Sequence, residues 1–209
     1  HVSPYGRAVT SKLSGDLVNY GVAIVSGLAL GVDSIAHKAC LDSRGVTIAV
    51  LPAGLDKIVP TSHFQLAQDI VRANGLLVAE YPPSTLPFRP NFVARNRIIA
   101  GLSEGLLITE AVRNSGSLHT ARFALELGIP VFAVPGPITS ANSEGTNNLI
   151  KSGAIPVTEV EDILNAMDWS TTNRDKSETS AKTDEERVIL ELISDGVSDG
   201  HELQEQSGL

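Results

Sequence analysis

The strongest constraint on this chain's fold is an alternation. Short runs rich in β-branched residues, at positions 22–25, 47–51, 76–79, 105–109 and 130–134, recur every 20 to 30 residues with helix-spaced stretches between them. Parallel strands covered on both faces read as such continuous apolar runs, and each needs a long crossover to reach the next strand. The pattern therefore predicts an α/β fold, a Rossmann-like doubly wound parallel sheet with helices on both faces. Ahead of the first run, Val9, Leu13 and Leu17 fall four apart, so residues 4–19 form a helix that docks on the sheet. A βαβ order places a strand before that helix, whereas the sequence opens at a turn-like Ser3-Pro4, so a strand is expected upstream of residue 1.

With 209 residues, 42% of them hydrophobic, there is material for one sizeable core and a small appendage. The expected division is a Rossmann-like domain over residues 1–167, a polar linker over 168–183, and a truncated second domain over 184–209 with helices at about 184–193 and 200–206. Cys40 is the single cysteine, which excludes an intramolecular disulfide, and the five histidines show no metal-ligand spacing. No metal or other cofactor is expected. No apolar run approaches the roughly 20 residues that cross a bilayer, so a cytoplasmic protein with no membrane partner is expected.

The net charge of −8 opposes a polyanionic partner only until it is divided along the chain. Residues 1–167 carry 12 basic against 13 acidic side chains, while residues 168–209 carry 4 against 11. The acidity belongs to the tail. Residues 81–103 hold Arg89, Arg95 and Arg97 and no acid at all, and salt confines electrostatic attraction to charges within roughly 10 Å. A local anion site is compatible with the overall charge.

Several strand-to-helix loops suit an anion. The first strand runs into Ser26-Gly27-Leu28-Ala29-Leu30-Gly31-Val32-Asp33, where glycines let backbone amides approach a ligand and the helix start adds roughly half a positive charge. The same residues also suit a plain tight turn with Asp33 as a helix cap. The loop lacks both the G-x-G-x-x-G fingerprint and G-K-[ST], so neither NAD nor ATP is indicated. Lys57 follows the second strand, either facing a phosphate or simply solvated. In 91–103, Arg95 and Arg97 flank Asn96 where a helix begins; cations oppose the dipole there, which an anionic ligand relieves, as would acidic partners elsewhere in the protein. Phe92 reads as a core anchor. Ser115-Gly116-Ser117 opens another helix and either caps it or holds phosphate oxygens.

Taken together, Ser26-Gly27-x-Ala29-x-Gly31-x-Asp33-x-x-Ala36-His37, Gly54-Leu55-Asp56-x-x-x-Pro60, Phe92-x-x-Arg95-Asn96-Arg97-Ile98-Ile99-Ala100-Gly101-Leu102-Ser103, Glu110-Ala111-x-x-x-Ser115-Gly116-Ser117-Leu118-x-Thr120-Ala121 and Val134-Pro135-Gly136 resemble the DprA/Smf family in order and spacing. The resemblance implies a non-catalytic protein of natural transformation and recombination that binds and protects incoming single-stranded DNA and helps load the recombinase RecA. Carried over position by position, it places DNA contacts at Ser26, Gly27, Gly31, Lys57, Arg89, Arg95, Asn96 and Arg97, bordered by Ser115, Gly116 and Ser117. It also implies a homodimer through Leu149, Ile150 and neighbouring apolar residues, and a winged-helix domain of which residues 202–209 are the start. The family's arginine in a Gly-Ser-Arg turn would lie just before His1, and Thr61 stands where relatives often carry lysine. The alternative reading is a related Rossmann-like hydrolase of nucleotide N-glycosidic bonds with Glu110 as its carboxylate, although the Pro-Gly-Gly-x-Gly-Thr run of that group is not found here. A pure interaction module, its loops only turns, is the third reading.

Overall fold

The computed structural model describes residues 2–169 together with Val188, Leu192 and Ser207. The chain divides into two units, His1–Trp169 and Ser170–Leu209. The linker and the helices expected over 184–193 and 200–206 fall almost wholly outside the described residues.

In the first unit, α1 (Pro4–Asn19), β1 (Ile24–Ser26), α2 (Val32–Asp42), β2 (Thr47–Leu51), α3 (Phe64–Arg72) and β3 (Leu76–Ala79) form one half. The other comprises α4 (Arg89–Gly101), β4 (Leu106–Ile108), α5 (Ser117–Glu126), β5 (Val131–Ala133), α6 (Glu144–Lys151), β6 (Ile155–Pro156) and α7 (Val160–Ala166). Every ladder is parallel, as the apolar runs require. The strands group as two three-stranded ladders, β1-β2-β3 and β4-β5-β6, rather than one continuous sheet. Side chains span the interval instead: Ile24 of β1 and Leu107 of β4 pack on the same cluster as Leu13 and Leu17 of α1, Phe132 of β5 and Ile163 and Leu164 of α7.

Local sequence explains α1. Ser3 caps it by accepting the Gly6 N–H at 2.9 Å, and Pro4, which has no N–H to lose, starts it. Its buried face, Gly6, Thr10, Leu13, Ser14 and Leu17, repeats at three and four residues. At its start, Glu110 beyond β4 accepts from the Ser3 N–H at 2.8 Å and from the Ser3 hydroxyl, and deeper in, the Thr10 and Thr109 hydroxyls bond at 2.6 Å. Two further cores lie on either side, one between α4, α5 and β4, the other between β2 and α3 beneath Leu28.

Candidate functional site at the carboxyl edge

Because β1, β2 and β3 are mutually parallel, the loops after them leave from one edge, and α4 ties these loops to the one after β4. Its Asn91 side chain donates to Pro52 O at 3.2 Å, beyond β2. The Arg95 Nη1 donates to Gly27 O at 2.8 Å and to Val50 O. Asn96 accepts from Arg95 Nε and donates to Gly116 O at 3.3 Å, while Arg97 pairs with Glu80 at the end of β3. The loops after β2 and β3 also interlock, through Gly54 N–H to Thr85 O at 3.1 Å and Ser84 N–H to Asp56 Oδ1 at 2.7 Å. A side chain at Gly54 would meet Pro82 O at 2.6 Å, so only glycine permits that approach.

Residues scattered from 26 to 117 in the sequence are thereby brought to one edge, but their roles differ. Arg89, in the first turn of α4, is exposed and forms no ion pair among the described residues. Lys57 is partly exposed, 3.4 Å from Asp56, whose carboxyl is held below the usual range chiefly by the Ser84 N–H. Arg97 is accessible but already occupied by Glu80. Ser26 and Gly31 are half-buried, and Gly31 at φ 97° needs a glycine's freedom. The Ser115 and Ser117 hydroxyls bond each other at 2.8 Å beside Gly116. Leu149 packs against the cluster containing Ala121 and Val131, and Ile150 is half-buried.

Arg95, which the resemblance places among the DNA contacts, lies beneath a loop rather than on the surface. It is 3% exposed, because α4 turns it inward beneath the loop after β1, where two backbone carbonyls replace the water it loses. Burial pulls its guanidinium below its ordinary value, with nearby Asp33 opposing; an arginine so placed stays cationic. The loop amides also differ from the sequence reading. Gly27 N–H and Ala29 N–H point at Asp33 Oδ2, at 3.1 and 3.2 Å, so Asp33 serves the loop rather than capping its own helix. His63, 35 residues away, holds Leu28 O through Nδ1 at 2.7 Å. Neither role is visible locally in the sequence, though the Gly27-to-Asp33 spacing is the signal for the first. Phe92 is half-buried rather than a core anchor, and Phe88 just before α4 is 66% exposed.

Glu110 is engaged in holding Ser3 at the start of α1, so it is a structural cap and not an unassigned strand-end carboxylate. The hydrolase alternative is not favoured by this arrangement. Among the described residues, no cluster of three His, Cys, Asp or Glu side chains could hold a metal, and no helix is long and apolar enough to cross a membrane.

Comparison with known proteins agrees with this architecture. Residues 1–168 match the family model of DNA recombination-mediator protein A. Protein Smf of Escherichia coli is 53% identical over 160 residues, which cover 77% of this chain and 43% of that protein. The structure resembles the X-ray structure of DNA processing protein A from Streptococcus pneumoniae, with a TM-score of 0.72 and 41% identity over 78% of this chain and 57% of that one. It also resembles the Helicobacter pylori protein, whose structure was described for its single-stranded DNA binding mode, with a TM-score of 0.71 and 36% identity over 79% of this chain and 74% of that one. This chain thus spans less than half the length of the E. coli relative. The match over nearly the whole first unit, on a parallel α/β frame whose loops converge at one edge, shows that the chain belongs to the DNA recombination-mediator protein A (DprA/Smf) family.

Proposed function

We propose that the carboxyl edge of the first unit binds single-stranded DNA, without catalysis, as part of a cytoplasmic recombination mediator. The observation that carries this reading is the assembly of the loops after β1 to β4 around α4, with Arg89 at its amide end exposed and free of an ion pair among the described residues. An arginine beside a helix start is electrostatically unfavourable alone and favourable with a phosphate between them. Arg89, Lys57 and, once released from Glu80, Arg97 supply the surface charge, with Ser26, Gly31, Asn96 and Ser115 to Ser117 bordering it. The ring of Phe88, and the outer face of Phe92, offer surfaces on which unpaired bases stack; duplex bases are unavailable for this. Phosphate contacts set affinity, so sequence preference is slight.

The single-stranded DNA binding mode described for the H. pylori relative supports the ligand class, and membership of the family supports the further steps: protection of incoming strands in transformation, delivery to RecA, a homodimer in which Leu149, Ile150 and their neighbours contribute, and a second unit that begins a winged-helix domain. A dimer lets two sites share one strand and gain avidity.

The test is fluorescence anisotropy of a labelled oligothymidine, with matched duplex as control, at two salt concentrations. Salt-sensitive binding of single strand over duplex, weakened in Arg89→Ala with Arg97→Ala, is expected. Equal affinity for both DNAs, or a folded double variant that binds as tightly as the parent, would overturn the reading.

A further inference from the structure

We propose that Arg95 is a positioning residue that clamps the loop after β1 from beneath and offsets the Asp33 carboxylate there, without touching the nucleic acid. The inference rests on the single-stranded DNA reading above and deepens it.

Three consecutive residues of this loop are each held by a side chain from a different part of the fold. Gly27 O accepts from Arg95 of α4, Leu28 O takes the His63 imidazole, and the amides of Gly27 and Ala29 share Asp33 Oδ2 of α2. Leu28 sits at φ 56°, a left-handed conformation that is strained for a residue with a side chain. Its side chain is fully buried against the β2 and α3 cluster, which helps to hold that conformation. The fit to Arg95 is close: a methyl on Gly27 would lie 2.5 Å from Arg95 Nη2. A loop restrained at this many points has little freedom left to lose when a ligand arrives, which is what pre-organisation contributes to affinity.

The charges give the second half of the argument. Asp33 brings a carboxylate to the underside of a loop whose outer face is proposed to meet phosphates, which by itself would repel them. Arg95, buried and bonded to the same Gly27 whose N–H meets Asp33, opposes that field close to its source. With the pair balanced internally, the net attraction at the edge is left to Arg89 and Lys57. Arg95 thus governs affinity through loop geometry and local potential, while the count of displaced counterions stays with the surface cations.

The experiment compares the full chain with Arg95→Met, Arg95→Lys and Arg89→Ala, each checked for folding by circular dichroism. Oligothymidine affinity is measured across a salt series, and hydrogen exchange of the loop amides is followed without DNA. Arg95→Met is expected to weaken binding about tenfold or more and to accelerate exchange at Gly27 and Ala29, with the dependence of log affinity on log salt unchanged. Arg89→Ala is expected to lower that salt slope by about 0.7, one single-strand phosphate contact, and to leave loop exchange alone. Should Arg95→Met fail to fold, Arg95→Lys carries the test: it retains the charge and loses the two-carbonyl grip, so exchange accelerates and the slope holds. A salt slope reduced by Arg95→Met as it is by Arg89→Ala would make Arg95 a direct contact and overturn the proposal. So would unaltered loop exchange in the folded variants. If the parent chain binds no single strand, the DNA reading falls, while loop exchange still decides whether Arg95 is the clamp.

Discussion

Lowering the pH should destabilise the first unit through one buried side chain, His37. Its imidazole is fully buried on α2, with Nδ1 2.7 Å from the Thr47 hydroxyl. Because Thr47 Oγ1 itself donates to Ile24 O at 2.7 Å, the network assigns the proton to His37 Nδ1 and leaves Nε2 bare. Nε2 has no hydrogen-bond partner, so protonation would place an unsatisfied cationic N–H in the core. Burial drives the His37 pKa down from 6.5 to about 4, with His63 and Arg95 adding to the fall and Asp33 opposing it. The unfolded chain therefore binds the proton first. Stability from this group is complete above the unfolded value and is lost as the pH falls from about 6.5 toward 4. Integrating over that window gives a loss of about 2 kcal/mol between about pH 7.5 and about pH 5, and about 3 kcal/mol by about pH 4. For a unit of this size the loss at about pH 5 lowers Tm by roughly 4–8 °C. Urea unfolding followed by circular dichroism across this range, in parallel with His37→Gln, isolates the term, since other titrating groups contribute equally to both proteins. The parent should lose about 2 kcal/mol more than the variant by about pH 5. Parallel pH profiles would refute the reasoning.

Three other outcomes follow from the same geometry. Gly27→Ala would drive a methyl into the Arg95 guanidinium and disturb its carbonyl contacts, at a cost of about 1–3 kcal/mol in chemical denaturation; a cost under about 0.5 kcal/mol would show that the side chain simply moves aside. Glu80→Gln frees Arg97 from its ion pair, so oligothymidine affinity at low salt should rise a few-fold, and unchanged affinity would place Arg97 outside the DNA path. Glu110→Gln weakens the hold on Ser3 and should lower thermal stability without creating or abolishing nucleotide hydrolysis, whereas a hydrolytic activity that this substitution removes would return the carboxylate to catalysis.

The sequence by itself determined the alternation of strands and helices through β5, whereas β6 and α7 came only from the structure. Residues 47–51 and 76–79 are the strands observed as β2 and β3, and residues 4–19 are α1, because continuous β-branched runs and four-residue apolar spacing are local statements about burial. The family too was legible, since its motifs are short and ordered along the chain. Tertiary structure alone decided what each motif residue does. Arg95, Arg97 and Arg89 lie within nine positions and look interchangeable, yet one is buried under Gly27, one is paired with Glu80, and one is exposed without an ion pair. Helical rotation turns neighbours to different faces, and only the packing of α4 against the strand ends determines which face is inside. His63 and Asp33 were drawn into the loop clamp in the same way, by hydrogen-bonding needs of a backbone that the chain reaches from 35 and 6 residues away. Local sequence encodes periodicity; it does not encode which distant carbonyl a buried charge must satisfy.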